Sequence, residues 1–98
     1  MVALDPTRGR EIRKTRPCAV VSPDELNAHL RTVIVAPLTT GGHRYPFRVS
    51  CRFRRREGSL VLDQLRTVDA GRLVRRLGRL SGATLASTLR RLQEMFAP

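Results

Sequence analysis

The sequence predicts a small, mainly β domain, either a barrel or a strongly bent sheet, carrying a C-terminal helix. Short apolar or alternating runs recur between residues 18 and 80, with turn residues roughly every ten positions. Leu85, Leu89, Leu92 and Phe96 then recur at i, i+4, i+7 and i+11, the spacing of one helical face. At 98 residues the chain has the size of one domain, near the lower end of what buries an adequate core alone.

Each element has its own signal. Val2, Ala3 and Leu4 form an apolar stub too brief to make a strand by itself. Residues 5–17 are a polar, Arg-dense loop running into the continuous apolar stretch 18–21, an interior strand bounded by Pro17 and Pro23. A carboxylate and several guanidiniums crowded at a strand mouth are typical of a loop-borne site on a rigid scaffold. Residues 22–27 read as a turn into a single helical turn, with Pro23 at a permitted first position.

Residues 32–37 are rich in β-branched side chains and form the clearest strand. Residues 39–43 read as a loop because of Gly41 and Gly42. Residues 47–53 alternate apolar and polar, the mark of a half-buried strand, and Phe47 at its start is expected in the core. A turn at 54–58 returns the chain as a hairpin partner at 59–63, and 64–68 continues extended. Asp69 suits a capped turn, and 76–80 a last strand. Ser81 is a plausible N-cap for the final helix, with Arg90 and Arg91 placed to complement its dipole. Its leucine stripe is expected to cover the sheet or a partner subunit. There is no internal repeat, linker or low-complexity tract.

The formal charge is +11, and the 41% hydrophobic content argues against disorder. Eighteen of the nineteen cations are arginine; Lys14 is the exception. Arginine suits bidentate phosphate contacts and base stacking, which favours a nucleic-acid partner. A coding bias toward Arg, Ala, Val and Leu explains the choice of Arg over Lys but not the net excess. Cys18 and Cys51 are far apart, and His29 and His43 are isolated, so no metal or other cofactor is expected. Cys18 reads as a small core residue. With no signal peptide and no membrane-length apolar run, the chain reads as cytoplasmic with reduced thiols.

Six blocks carry a resemblance: DPTRGREIRKTRP at 5–17, VVSPDELN at 20–27, VAPLTT at 35–40, YPFRV at 45–49, LDQLRTVD at 62–69 and RLGRLS at 76–81. In this order they resemble the MazF/PemK family of toxin endoribonucleases over nearly the whole chain. The resemblance implies an SH3-like small β-barrel with a C-terminal α-helix, 1–98 as a single toxin domain, and usually a homodimer. It also implies metal-independent cleavage of single-stranded RNA at short sequences. A cognate antitoxin with an acidic, flexible tail would lie along the RNA-binding groove. Carried over by position, the catalytic arginine falls on Arg16 and the catalytic threonine on Thr39. Glu11 matches an acidic residue near the site, and Asp63 and Gln64 match a DQ pair beside it. Family members usually have a longer first strand ahead of the DPT block, so a shortened first strand is expected here.

RNA brings its own nucleophile, the 2′-hydroxyl. Such an enzyme has to deprotonate that hydroxyl, stabilise charge on the phosphoryl oxygens and protonate the leaving 5′-oxygen. Arg16 supplies fixed charge and paired donors, and Thr39 one further hydrogen bond. Arginine stays protonated, so Glu11 is the better general base on pKa grounds. Thr40, Asp63, Gln64, Arg10 and Tyr45 are candidate substrate-binding residues; Tyr45 offers a stacking surface for an unpaired base. Each has a plainer reading: Arg16 as a solvated cation, Thr39 as a turn residue bonding nearby backbone, Glu11 as an ion-pair partner of a neighbouring arginine, Asp63 as an acceptor for loop amides. The Arg52, Arg54, Arg55 and Arg56 cluster is either a phosphate contact or a solvated hairpin tip. Two other classes compete with the ribonuclease: an inactive relative that binds RNA or an antitoxin, and a toxin aimed at a protein target.

Overall fold

The computed structural model describes residues 2–4, 15–40 and 46–98, the first of these as backbone. Seven strands and two α-helices organise them. Strands β1 (Val2–Leu4), β2 (Arg16–Val20) and β3 (Thr32–Thr40) come first, with helix α1 (Asp24–His29) between β2 and β3. Strands β4 (Arg48–Phe53), β5 (Arg56–Val61), β6 (Arg66–Asp69) and β7 (Leu73–Arg76) follow, and helix α2 (Gly82–Phe96) ends the fold. All strand pairs are antiparallel, in the order β4-β5-β3-β2-β1-β7, with β6 also on β3. The fold class is the expected one. Among the described residues the strand path is open, so the barrel is a bent sheet rather than a hydrogen-bonded ring.

The bend originates in β3. Its first half pairs with β6, in register Val35↔Arg66, and its second half with β5, in register Thr40↔Gly58. Between those two pairs β3 advances five residues and its partner eight. The excess is taken up by a 3-10 turn, Leu62–Gln64, which replaces the extended chain expected at Gln64. Leu62 is fully buried beneath that turn, while Asp63 and Gln64 are exposed.

Two apolar clusters lie on opposite faces of β2 and β3. Ala19, Ala36, Val49, Cys51, Leu60 and Leu62 form the larger, and Cys18, Val33, Val35 and Val68 the smaller. A strand buried on both faces has no polar alternation, which accounts for the continuous apolar run at 18–21. Ser22 anchors the exit of β2: its hydroxyl accepts from the Ile34 amide at 3.0 Å and donates to the Asn27 carboxamide at 2.5 Å.

Several boundaries differ from expectation. Thr39 and Thr40 lie on β3, not in a loop, because Ser59 and Gly58 of β5 extend the ladder to them. Residues 2–4 do form a strand, since pairing with β2 and β7 on both sides supplies partners that a lone stub lacks. The hairpin turn narrows to Arg54 and Arg55, both with positive φ (51° and 64°), as a two-residue turn matched to strand twist requires. The last strand is Leu73–Arg76 rather than 76–80, after Asp69 caps a 3-10 turn by accepting from the Gly71 amide at 2.7 Å. Phe47 has φ 63° and is 37% exposed, outside the core.

Ser81 caps α2 as expected, accepting from the Thr84 amide at 3.1 Å. The helix is rotated relative to its leucine stripe. Thr88, Leu92 and Met95 face the sheet; Leu85, Leu89 and Phe96 remain exposed. Thr88 tolerates complete burial because its hydroxyl donates to the Thr84 carbonyl at 2.8 Å.

Candidate active site

Leu60, Gly58 and Arg56 alternate along the concave face of β5, opposite Val49, Cys51 and Phe53 of β4. Leu60 is fully buried, and Arg56 is exposed. The row therefore passes from packed core to an arginine at an inward-facing position. There the sheet opens into a hollow of about 890 Å³. Leu38, Phe53 and Leu77 give it apolar lining, and Arg16, Thr39 and Thr40 line it as well.

Arg16 enters from the first residue of β2, paired across from Leu4 of β1. Thr39 enters from β3, which β2 pairs farther along, at Cys18↔Pro37. Arg16 and Thr39 lie 23 residues apart in sequence and line the same hollow. The Thr39 hydroxyl reaches the Thr40 carbonyl at 3.4 Å, a long, exposed contact that leaves the group available to a better acceptor.

Arg16 also lines a second hollow of about 370 Å³, floored by Pro17, Cys18, Val35 and Pro37 and rimmed by Gln64 and Arg66. Gln64 thus shares a cavity with Arg16, whereas Asp63 faces β4 and pairs with Arg48 at 3.7 Å. Arg10, Glu11 and Tyr45 lie outside the described residues. Among the described residues there is no group of three or more His, Cys, Asp and Glu able to hold a metal ion, and no helix long and apolar enough to cross a membrane.

The hollow includes residues that sequence reasoning misses. Arg75 has no role in the sequence pattern, which puts the last strand a few residues later, and Gly58 reads there as a turn residue. Gly58 carries a spatial requirement: a Cβ there would run into the Thr39 carbonyl oxygen.

Fold and hollow together define a small bent-sheet protein with a cationic concave site. The family described as PemK-like, MazF-like toxin of type II toxin-antitoxin system matches residues 1–96. Endoribonuclease PemK of Escherichia coli is 35% identical over 105 aligned residues, spanning 98% of this chain and 77% of that protein. Endoribonuclease MazF9 of Mycobacterium tuberculosis is 35% identical over 95, spanning 87% and 80%. Among solved structures, MazE-MazF from Deinococcus radiodurans aligns with a TM-score of 0.78 at 25% identity, covering 98% of this chain and 89% of that one. The chain belongs to the MazF/PemK family of type II toxin endoribonucleases.

Proposed function

We propose that the chain is a single toxin domain that cleaves single-stranded RNA in a sequence-specific, metal-independent manner. The observation that carries this reading is the shared hollow of Arg16 and Thr39 in a member of this family. The 2′-oxygen attacks the adjacent phosphorus, the bond to the 5′-oxygen breaks, and a 2′,3′-cyclic phosphate and a 5′-hydroxyl remain. Arg16 holds the phosphoryl oxygens with charge and a fork of N–H donors, and Thr39 adds a hydrogen bond that fixes the phosphate in line. Glu11 takes the proton from the 2′-hydroxyl, and a proton passes to the leaving 5′-oxygen. Thr40 and Gln64, with Arg10, Asp63 and Tyr45, hold the flanking nucleotides.

The partner is a cognate antitoxin, as in the MazE-MazF structure it resembles, and its acidic tail competes with RNA for the cationic hollow. The exposed Leu85, Leu89 and Phe96 of α2 are covered by a second copy in a homodimer that works in the cytoplasm. Mapping of product ends in excess chelator tests the activity. Cyclic-phosphate and 5′-hydroxyl ends, lost in Arg16→Ala and Thr39→Ala, are expected. Chelator-sensitive cutting, or full activity in both variants, would sink the mechanism.

A further inference from the structure

The hollow of Arg16 and Thr39 is also lined by three more arginines from separate places in the fold: Arg54 at the β4–β5 tip, Arg56 on β5 and Arg75 on β7. We propose that these three form a phosphate-binding wall that holds the RNA backbone flanking the scissile group, so that the hairpin tip is a substrate-binding element. The inference rests on the ribonuclease reading above and names residues that reading does not use.

Three observations carry it. The first is backbone conformation. Arg54 and Arg55 both occupy the left-handed region, at φ 51° and 64°, where a two-residue hairpin turn ordinarily takes Asn-Gly or Asp-Gly. A pair of arginines there costs stability that either favoured pair would not, and such strain concentrates at ligand clamps. The second is side-chain direction. Arg56 is paired with Phe53 and shares the concave face with Gly58 and Leu60, while Glu57 is paired with Arg52 on the opposite face. Arg56 thereby joins Phe53 and Gly58 among the residues that line the hollow.

The third is position. Arg75 is paired with Ala3 and Arg16 with the next residue, Leu4, so their backbones flank β1 two strand spacings apart, about 10 Å, and both residues line the hollow. Arg54 lies over the Phe53 ring at 5.3 Å, which orients its guanidinium beside an apolar surface suited to a base. The wall thus adds charge to a hollow whose apolar lining it shares with the reactive pair. Single-stranded RNA presents that pattern, phosphates outside and unpaired bases within.

The test separates binding from cutting. An oligoribonucleotide with 2′-deoxy substitution at the cleaved position is titrated against the full chain over a range of salt, and cleavage of the unsubstituted RNA is followed in parallel. Replacing the tip by its favoured turn, Arg54→Asn with Arg55→Gly, removes charge while preserving the hairpin; Arg56→Gln and Arg75→Gln complete the wall variant. The wall variant is expected to bind roughly tenfold more weakly, with a log–log salt slope shallower by about 0.7 for each phosphate that it no longer neutralises. Its KM rises while kcat at saturating RNA changes little. Arg90→Gln, a charge removed from α2 instead, leaves the slope unchanged. An unchanged slope and KM in the wall variant overturns the inference while leaving the ribonuclease reading intact if the parent chain still cuts. Absence of cutting by the parent chain refutes that reading, and the deoxy-substituted RNA still decides the wall. Weakened binding of an acidic peptide with undiminished RNA binding would assign the wall to the antitoxin and overturn the proposal.

Discussion

Gly58 on β5 lies so close to the Thr39 carbonyl oxygen that a side chain at position 58 has no room. The obstacle is backbone of the neighbouring strand, which cannot swing aside as a flexible side chain would. Gly58→Ala therefore has to push β3 and β5 apart at the point where Thr39 enters the hollow. The expected cost is about 1–3 kcal/mol, as for other overpacked interiors. A lowered urea midpoint and a larger fall in cleavage than stability alone explains would bear this out. An unaltered midpoint and rate would show that Thr39 is not held by this approach.

Arg16 and Thr39 are expected to differ in what replaces them. Arg16→Ala should lower kcat by about 10²–10³, the range for a preorganised transition-state donor. Arg16→Lys keeps the charge but loses the planar fork, so recovery should be slight. Thr39→Ser retains the hydroxyl and should keep most of the activity that Thr39→Ala loses. Single-turnover cleavage at saturating RNA distinguishes these cases, and equal rates for lysine and arginine would argue for a point charge alone.

The exposed stripe of α2 predicts association. Leu85 and Leu89 are 41% and 45% exposed and lie outside both core clusters. Leu85→Glu with Leu89→Glu should convert the proposed dimer to a folded monomer, seen as a halved sedimentation mass with helicity retained. Leu92→Ala, by contrast, takes away a side chain packed on the core and should cost about 2 kcal/mol. A double-Glu variant that still sediments as the parent would place the interface elsewhere.

Cys18 predicts alkaline sensitivity. Burial pushes its thiol up to about 11, from an ordinary value near 9. Below pH 9 both folded and unfolded chains hold the proton, so this site makes no pH-dependent contribution. Between pH 9 and 11 the unfolded chain releases the proton that the folded chain retains, and stability falls with rising pH. The integrated loss is on the order of 2–3 kcal/mol. Burial raises the Cys51 thiol too, adding in the same direction. The chain has a single lysine and a single tyrosine, which leaves few other groups to titrate in this window. Denaturant midpoints across pH 8–11 for the parent and Cys18→Ala provide the measurement. A steep alkaline limb that persists in the variant would assign the effect to other groups.

Much of the fold is legible in local pattern. The apolar run at 18–21, the alternation at 47–53 and the Ser81 cap each report a local cause, burial on two faces, burial on one face or a helix end. Each forms the expected element. Where pattern misleads, the missing information is non-local. Val2–Leu4 is a strand because two other strands flank it, and Thr39 and Thr40 join β3 because β5 continues beside them. The leucine stripe of α2 identifies a helix, but of its four residues Leu92 packs on the core while Leu85, Leu89 and Phe96 stay exposed. The face on the sheet also takes Thr88 and Met95, and Thr88 is tolerated there because a small hydroxyl residue can bond its own helix while buried.

The class of the protein, its charge and the residue types from which a phosphate-directed site is built all follow from the amino-acid order. Arg16 and Thr39 stand out there only through a family resemblance, since no periodicity links positions 23 residues apart. Which arginines share their hollow is a matter of tertiary structure. Arg75 reaches it from beyond β1 and Arg56 from β5, and Gly58 permits the approach of β5 to Thr39. Strand register converts a one-residue offset into opposite faces of the sheet, and register between distant strands is set by their mutual packing.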